Sequence, residues 1–380
     1  MNPDTHVILV SGQPTPNITP VLDPELKPHE VIMVVSPDMR ERADWLASVL
    51  QPAGVKITRW AIDDAYDVER VGEQILTLLA AREQQNIVLN VTGGTKPMAI
   101  AAYEVFRTAG KPIFYVHPEQ DRLIWLSPRG LPARDLALRV KLKAFFQAHG
   151  AAMTERPASF GVPEHLRRVA DGLIRHVEKY QRALRGLNWA AMTAEALVSP
   201  ELPQSRWEQE DFKNLVGWFE AEGLLWRRGS RLQFADEQAR FFVNGGWLEH
   251  YVYSVVQTVK RDGTIQDLGR SLVLSRVVDR ERVQNELDVA FLADNRLFVI
   301  ECKTRRFGEE MDDGSVGAES VYKLDRLTNL LGGLQARAML VSYQSLPRTV
   351  ARRAQDYRIE TCAGAELHRL DHVIGRWIGS

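Results

Sequence analysis

The residues best suited to chemistry lie in two β-rich runs, 283–292 and 296–304, near the C-terminal end. The first run contains Asp288, and the second contains Glu301 and Lys303. Carboxylate oxygens suit Mg²⁺ or Mn²⁺, and a lysine beside the metal can orient the attacking water and stabilise charge that develops on phosphorus. These residue types therefore indicate metal-dependent hydrolysis of a phosphodiester.

A hairpin would bring these side chains together, because an Asp-Asn pair between the runs favours a two-residue turn. With that turn, Asp288 lies opposite Glu301, and Glu286 lies opposite Lys303, so that all four point the same way. A slip of one residue would send Glu301 to the other face from Asp288. The alternative interpretation is a solvated strand face held by cross-strand ion pairs.

A carboxylate upstream and cations downstream could complete such a site. An apolar helix is predicted over residues 245–259, with Glu249 in its first turn. Glu249 is a candidate third ligand or water-positioning group, although an acidic residue there also complements the helix dipole. Lys323, with Arg305 and Arg306 after the second run, could supply a basic rim for nucleic acid.

A second candidate site lies in the first third, after a predicted strand at 86–91. The chain there continues with Thr92, Gly93, Gly94, Thr95 and Lys96. Thr95 is a plausible helix cap, and free amides, the positive end of the helix dipole and a lysine together attract phosphate. The alternative is an ordinary tight turn with a solvated lysine. The string is neither a Walker A loop nor a dinucleotide fingerprint, so neither ATP hydrolysis nor NAD binding is indicated.

The loop after the first predicted strand is the partner candidate. Residues 11–20 offer amides and hydroxyls but no charge, notably from Ser11, Gly12, Gln13 and Asn17. Open α/β sheets bind ligands at the carboxyl ends of their strands, which is where both loops stand.

Composition narrows the class of protein further. The 380 residues carry 48 Lys and Arg against 49 Asp and Glu, which excludes a polybasic nucleic-acid binder. A hydrophobic share of 45% is ordinary for globular proteins. Two cysteines cannot form a disulfide framework, and neither a membrane span nor a signal peptide is evident. We expect a cytoplasmic protein without a membrane partner.

The elements that must position the front loops follow from hydrophobic patterning. Five short runs are predicted as strands, and several of them are apolar without alternation, as parallel strands buried on both faces are. They are residues 6–10, 31–35, 55–60, 86–91 and 113–116, with helices predicted at 39–51, 66–83 and 97–109. This alternation predicts a parallel sheet covered by helices.

The middle of the chain is predicted to be mainly helical. A helix is expected at 134–147 and a linker at 150–163, followed by three helices and a pair of strands at 164–185, 189–197, 208–222, 224–228 and 231–234. That order resembles a winged helix-turn-helix, yet its would-be recognition helix at 208–222 is acidic. A structural or dimer-forming module is therefore favoured over a DNA reader.

Taken in order, the short strings around the candidate residues resemble a known family. Gly-Trp-Leu-Glu ends at Glu249, Asn-Glu-Leu-Asp-Val contains Asp288, and Glu-Cys-Lys-Thr begins at Glu301. Together with the string Tyr-Lys-Leu-Asp, they look like the PD-(D/E)XK, restriction-endonuclease-like domain of the ancillary nucleases of type III CRISPR systems. One departure is that no Pro-Asp pair occurs at Asp288, which Leu287 precedes.

This resemblance implies an α/β fold in three parts. Residues 1–150 would form a Rossmann-like CARF domain that binds a cyclic oligoadenylate, 151–242 a winged-helix-like connector, and 243–380 the nuclease domain. It implies a homodimer that binds cyclic tetra-adenylate through loops 11–17 and 92–96. It also implies cleavage of single-stranded RNA and of DNA, with Mg²⁺ or Mn²⁺ on Glu249, Asp288 and Glu301 and with Lys303 as a catalytic residue.

Two other functions stay open from the sequence. A ligand-controlled transcription regulator would use the middle module to bind DNA and the C-terminal part as a scaffold. A repair or restriction nuclease would cut nucleic acid without any second messenger.

Overall fold

The computed structural model describes residues 4–154, 161–304 and 315–379. The first part contains, in chain order, β1 (Thr5–Leu9), α1 (Thr15–Leu22), β2 (Glu30–Val35), α2 (Arg40–Leu50), β3 (Lys56–Ala61), α3 (Val68–Ala80), β4 (Ile87–Asn90), α4 (Lys96–Thr108), β5 (Ile113–His117), β6 (Arg122–Ser127), β7 (Arg134–Asp135), α5 (Leu142–Ala148) and β8 (Ala152–Met153).

A seven-stranded sheet in the order β3-β2-β1-β4-β5-β6-β7 forms the front of the molecule. Its first five strands are parallel, while β6 and β7 run antiparallel. The predicted parallel, helix-covered sheet is thus confirmed. Strand order reverses between β1 and β4, so the carboxyl ends of these two strands flank a topological switch point.

Two local predictions in this region are wrong. The predicted helix at 134–147 is instead β7, an extended stretch and the short α5, because the buried carboxylate of Asp23 holds that stretch in place. Asp23 accepts a hydrogen bond from the backbone N of Ala137 at 2.8 Å and pairs with Arg134 at 3.1 Å. The predicted loop at 11–20 is a loop only as far as Pro14, where α1 begins.

The middle contains α6 (Glu164–Arg175), α7 (Val177–Met192), α8 (Gln204–Trp207), α9 (Glu210–Ala221), β9 (Leu225–Arg228), β10 (Arg231–Phe234) and α10 (Glu237–Phe241). The predicted helix at 164–185 is wrong in its bounds, because His176 leaves helical geometry and divides α6 from α7. The predicted helix at 189–197 is also wrong, because α7 continues to Met192 and Glu195 and Val198 then bridge to each other. The strand pair is confirmed as β9 and β10.

The acidic residues of the would-be recognition helix are engaged within the protein. Asp211 lies 3.8 Å from Lys179, and Glu220 accepts a hydrogen bond from the backbone N of Arg227. Such internal partners suit a structural module.

The C-terminal part contains α11 (Trp247–Lys260), β11 (Ile265–Val278), β12 (Glu281–Ala293), β13 (Arg296–Lys303), α12 (Ser315–Gly332), β14 (Arg337–Ser342), α13 (Arg348–Asp356), β15 (Glu360–Ala363) and α14 (Leu370–Ile378). The five strands of this part form a six-stranded sheet with β8, in the order β15-β14-β13-β12-β11-β8. Strand β8 follows the strands of the front sheet in the chain. No described helix combines the length and apolar character that crossing a membrane requires.

Both faces of this second sheet are buried. Phe291 and Phe298 on one face join a core with the middle helices, in which Phe219 and Trp247 are also buried. The other face packs against α12, α2 and α5, with Leu292 in that second core. The middle and the last part therefore share a core across the predicted boundary at 242, and the division into 151–242 and 243–380 stays a prediction.

Candidate active site and ligand-binding loops

The hairpin of β12 and β13 has the predicted register and then opens. Its ladder runs from the pair Ala293 and Arg296 to the pair Val289 and Ile300. Beyond Val289, β12 continues beside β11, and β13 continues beside β14. The predicted cross-strand pairing of residues 288 with 301 and 286 with 303 is therefore not formed as a ladder, because the sheet divides there. We call the place where the two strands separate, beside Asp288 and Glu301, the catalytic cleft.

Asp288 stands at the mouth of this cleft. Its Oδ2 accepts a hydrogen bond from the backbone N of Cys302 at 2.7 Å, which links β12 to β13 where their ladder has ended. Burial raises the pKa of the Asp288 carboxyl, and the nearby charge of Glu301 raises it further, while the backbone hydrogen bond and Lys303 oppose the shift. Asp288 and Glu301 thus influence each other across the cleft as the hairpin predicted.

The side chain of Lys303 forms an ion pair with Oε1 of Glu301, two residues earlier on β13. Burial lowers the pKa of the Lys303 ammonium, but Glu301 and Asp288 outweigh burial, so the net shift is upward. Lys303 therefore stays charged next to the carboxylates.

Glu249 reaches the same cleft from the first turn of α11. Its Oε2 accepts a hydrogen bond from Ser271 Oγ at 3.2 Å, and Ser271 adopts a left-handed φ of 48° on β11. Burial is the main reason that the pKa of the Glu249 carboxyl is raised, and the charges of Asp288 and Glu286 add to it. Glu286 itself is exposed at the edge of the cleft.

A distorted turn before α11 fixes this helix against the end of β13. Residues 242–246 form a π-helical turn in which Gly245 has a φ of 116°. A Cβ on Gly245 would collide with Thr304, the residue after Lys303. Thr304 Oγ1 also lies 3.2 Å from the side-chain amide of Asn188 on α7. The middle module thereby contacts the end of β13, the strand that carries the candidates Glu301 and Lys303.

Charge in the cleft is unbalanced toward the negative. Glu249, Asp288 and Glu301 supply three carboxyl groups against Lys303, and burial, followed by the neighbouring carboxylates, raises the pKa values of Glu249 and Asp288. Hard oxygen donors of this kind suit Mg²⁺ or Mn²⁺. Among the described residues, no group of three His, Cys, Asp or Glu side chains is spaced as a ready-made metal cage. The donors therefore fit a cation held by one or two carboxylates plus water, which is how Mg²⁺ is usually bound.

The remaining candidate residues near this cleft differ in how exposed they are. His250 is buried against Phe242 at a ring distance of 5.1 Å, and burial lowers the pKa of His250 to about 3, as expected of a packing histidine. Lys323 is exposed on α12. Arg305 and Arg306 lie outside the described residues.

The two front loops meet at the switch point between β1 and β4. Ser11 Oγ accepts a hydrogen bond from the backbone N of Gln13 at 3.3 Å, which folds the first loop back on itself. Ser11, Gly12 and Gln13 line a cleft of about 470 Å³. All three residues are only partly exposed.

Asn17 occupies a different position from the one predicted. It is buried, and its Nδ2 donates to the backbone O of Leu9 at 3.1 Å. Its Oδ1 accepts from Asn90 Nδ2 at 3.1 Å. Asn17 therefore holds the first loop to β1 and β4 from beneath and does not line the cleft.

The second loop divides into supporting and exposed residues. Thr92 Oγ1 accepts from the backbone N of Val116 at 2.8 Å, which fixes the loop to β5. A Cβ on Gly93 would collide with the backbone O of Leu9, and Gly94 has a φ of 74°. Thr95 caps α4 by accepting from Met98 N at 3.2 Å, so the predicted cap is confirmed. The exposed Lys96 then begins α4.

Sequence reasoning missed the residues that support both sites. Asn90 connects the two front loops, and its signal is a lone amide in an apolar strand. Arg42 reaches from α2 to within contact of Gly12, and it carries no local motif. Ser271, beside Glu249, lies in a strand that the sequence patterning does not predict.

Comparisons with known proteins agree with this division into two sites. Residues 5–143 match the Card1 CARF domain, and residues 236–379 match the Card1-like endonuclease domain. No curated protein matches the sequence significantly.

Solved structures extend the likeness over the full chain. Protein VC1899 from Vibrio cholerae is 29% identical over 99% of this chain and 98% of its own, with a TM-score of 0.88. Can2 from Sulfobacillus thermosulfidooxidans, solved with cyclic tetra-adenylate, is 30% identical over 99% of this chain and 98% of its own, with a TM-score of 0.80. A type III CRISPR defence DNA nuclease activated by cyclic oligoadenylate is 20% identical, with a TM-score of 0.55 over 90% of this chain and 45% of its own, which shows the fold alone.

Proposed function

We propose a function for this chain, which belongs to the Card1-like family of type III CRISPR ancillary nucleases and carries both a CARF domain and an endonuclease domain. On that premise, a cyclic oligoadenylate bound by the front domain activates the nuclease domain. We take cyclic tetra-adenylate as the activator, single-stranded RNA or DNA as the substrate, and Mg²⁺ or Mn²⁺ as the metal.

The observation that carries this proposal is the convergence of Glu249, Asp288, Glu301 and Lys303 at the division of the second sheet. Burial and mutual repulsion raise the pKa values of Asp288 and Glu249. A strand pair gains nothing in packing from such an arrangement. A site of this charge is suited to a cation and to the phosphodiester that the cation accompanies.

Each residue of the cleft has a defined role in the proposed reaction. Asp288 and Glu301 would hold the metal ion, with Glu249 as a third oxygen donor or as the group that positions a water molecule. When bound, the metal polarises the phosphodiester and lowers the pKa of a bound water. The Lys303 ammonium, held by Glu301, orients the attacking water and offsets the negative charge that develops on phosphorus.

The front loops would bind the activator through neutral and cationic groups. Ser11 and Gln13 offer a hydroxyl and amides, while Lys96 places a charge at the N-terminus of α4, where phosphate is favoured. A cyclic ligand has rotational symmetry, so a homodimer could contact it with two copies of each loop. Activation then requires the ligand to prefer the dimer arrangement that is competent to cut.

A cleavage assay tests this function directly. The full chain is incubated with single-stranded RNA, single-stranded DNA and plasmid, with Mg²⁺ or Mn²⁺ and with or without each ring size of cyclic oligoadenylate. We expect cutting that needs the metal and rises on addition of cyclic tetra-adenylate. Glu301→Gln should remove the cutting while leaving activator binding intact.

Three results would separate the alternatives. Cutting that is indifferent to every cyclic nucleotide would favour a repair or restriction nuclease. Tight, sequence-selective duplex binding without cutting would favour a transcription regulator. Full cleavage by the Glu301→Gln protein would refute the assignment of the active site.

A further inference from the structure

A groove on the nuclease domain, distinct from the cleft of the carboxylates, has the composition of a polynucleotide site. It has a volume of about 1040 Å³ and lies between the ribbon of β11 and β12 on one side and α12 on the other. Val278 and Val283 form the ribbon wall, and Leu327 and Leu330 form the helix wall. The groove is at the upper end of the usual range for small-molecule pockets, so it suits an extended ligand.

Cations surround these apolar walls. Arg276, Lys323, Arg326 and Arg353 line the groove, against Glu319 as the single acidic lining residue in the part of the chain that the structure describes. The groove thus carries an excess of positive charge in a chain whose net charge is −1. Clustered basic residues of this kind suit the phosphates of a nucleic-acid backbone.

An aromatic platform lies between the cations. Tyr322 is 43% exposed, its ring meets Tyr357 edge to face at 5.3 Å, and the guanidinium of Arg353 stands 5.2 Å from its centroid. These contacts hold the ring in place while leaving surface free for a ligand. Bases of single strands stack on such rings without regard to sequence.

The groove and the catalytic cleft share strand β12. Asn285 lines the groove and lies three residues before Asp288, which is about 10 Å at the rise of a strand. The groove lies on the α12 side of the sheet, where Leu324 and Leu327 pack in the second core, whereas Glu249 reaches the cleft from α11 on the side of the first core. A strand lying in the groove would therefore reach the carboxylates through the division between β12 and β13.

We propose that this groove binds a single-stranded segment of the nucleic-acid substrate, with bases on Tyr322 and the apolar walls and phosphates on the surrounding cations. The inference rests on the proposed nuclease function and deepens it by assigning a binding surface to the substrate. A duplex hides the faces of its bases, so only unpaired bases can use the apolar walls. A second copy of this chain meeting the groove with the same face would place the cations against themselves.

Binding measurements on an inactive background test the proposal. Full-length protein carrying Glu301→Gln is titrated with fluorescent single-stranded RNA and DNA oligonucleotides and with the matching duplex. The double variant Lys323→Ala and Arg326→Ala should bind single strands about tenfold more weakly. Its plot of log affinity against log salt should be less steep by about 1.4, because each phosphate that is no longer neutralised reduces the slope by about 0.7.

Two further variants separate stacking from charge. Tyr322→Ala should weaken single-strand binding about tenfold with little change in salt slope, while Tyr322→Phe should retain it. Arg352→Ala is the matched control, since Arg352 is exposed beside Arg353 and does not line the groove. We expect Arg352→Ala to bind as the background does.

Specific outcomes would overturn the inference. Variants that bind single strands as the control does would refute it, as would a duplex that binds equally tightly with the same sensitivity. A change of oligomeric state in the groove variants would identify the surface as an interface between copies and would also refute the inference.

If the protein with an intact Glu301 cuts nucleic acid while the groove variants behave as wild type, the groove proposal fails alone. If the protein cuts nothing under any condition, the nuclease proposal fails instead.

Discussion

The front cleft, beside loop residues Ser11, Gly12 and Gln13, and the rear cleft, beside Asp288 and Glu301, differ in how the polar groups around them are hydrogen-bonded. At the front, Asn17 and Asn90 consume each other's hydrogen-bonding capacity and that of the loop backbone. At the rear, Asp288 and Glu249 are buried near like charge, and their pKa values rise for that reason. Amides that are fully hydrogen-bonded hold the front loops in one geometry, whereas buried carboxyl groups close to like charge favour the binding of a cation.

The contrast predicts that single changes at the rear remove catalysis without disturbing recognition at the front. Lys303→Ala takes away the ammonium next to the reacting phosphate, so the cleavage rate should fall by about 10²- to 10³-fold, as when one preorganised electrostatic group is removed. Single-turnover cleavage with activator measures the rate. Activator affinity, measured by calorimetry, should be unchanged.

Lys213→Ala is the control for this loss, because Lys213 is an exposed lysine on α9 in the middle module. We expect its cleavage rate to match wild type. A Lys303→Ala protein that kept its full rate would show that the charge of the rear cleft is structural and would break the comparison.

At the front, the prediction concerns the scaffold itself. A methyl group on Gly93 would collide with the backbone O of Leu9, and backbone cannot move aside as a flexible side chain can. Gly93→Ala should therefore lower the free energy of unfolding by about 3 kcal/mol, the upper end for overpacking, and abolish activation. Chemical denaturation and hydrogen exchange of β1 and β4 measure the effect.

Gly72 on α3 offers a matched glycine, since a Cβ there would meet nothing within 4 Å. Gly72→Ala should be neutral or stabilising by up to about 1 kcal/mol, as alanine favours a helix over glycine. Equal effects of the two substitutions would remove the argument that the front loops are held by close packing.

The sequence predicts more of the rear site than of the front one, for physical reasons. A two-residue turn sets the register of β12 and β13, and register alone brings Asp288 near Glu301. The opening of the hairpin after Val289 was not predictable, because it depends on β11 and β14 as outer partners. Those partners are chosen by tertiary packing.

At the front, the sequence identifies both loops but not the structural role of each residue in them. Gly93 and Lys96 follow from local chemistry at a strand end and a helix start. The burial of Asn17 was not predictable, because it depends on Asn90, which is 73 positions away. The buried Asp23 likewise overrides the helical pattern at 134–147 through a long-range hydrogen bond. Long-range polar contacts of this kind leave no trace in local periodicity.

A polar contact between the two parts gives the third prediction. Asp121, in the turn between β5 and β6, accepts a hydrogen bond from Asn295, in the turn between β12 and β13. Burial raises the pKa of Asp121 to about 6 against the opposing effect of that hydrogen bond and of Arg139. Because the folded state holds the proton more tightly, this group favours folding below about pH 4 and loses that contribution as the pH rises through about 6.

Asp121→Asn should remove this pH dependence. The loss in wild type amounts to at most about 3 kcal/mol, from about two pKa units at 1.36 kcal/mol each. Denaturation midpoints between pH 4 and pH 7 measure it, and the variant should be more stable than wild type at pH 7. The exposed Asp262, whose charge is not among those that shift the pKa of Asp121, is the control, and Asp262→Asn should leave the profile unchanged. A wild-type profile that is flat would show that the contact does not couple the two parts through this proton.

The smallest effect is expected where the front cleft offers charge to its ligand. Lys96 is exposed at the start of α4, so its ammonium keeps its hydration until a phosphate arrives. Lys96→Ala should weaken binding of cyclic tetra-adenylate by about tenfold, or about 1.4 kcal/mol, because the substitution removes one charge-assisted hydrogen bond. Lys96→Arg should recover most of the lost affinity.

Arg107→Ala removes a like charge from the far end of the same helix and should bind as wild type does. At saturating activator, the Lys96→Ala protein should cut at the wild-type rate, since the rear cleft is unchanged. A loss of cutting that saturation does not restore would mean that Lys96 acts on the nuclease domain itself, and the separation of recognition from chemistry would fail.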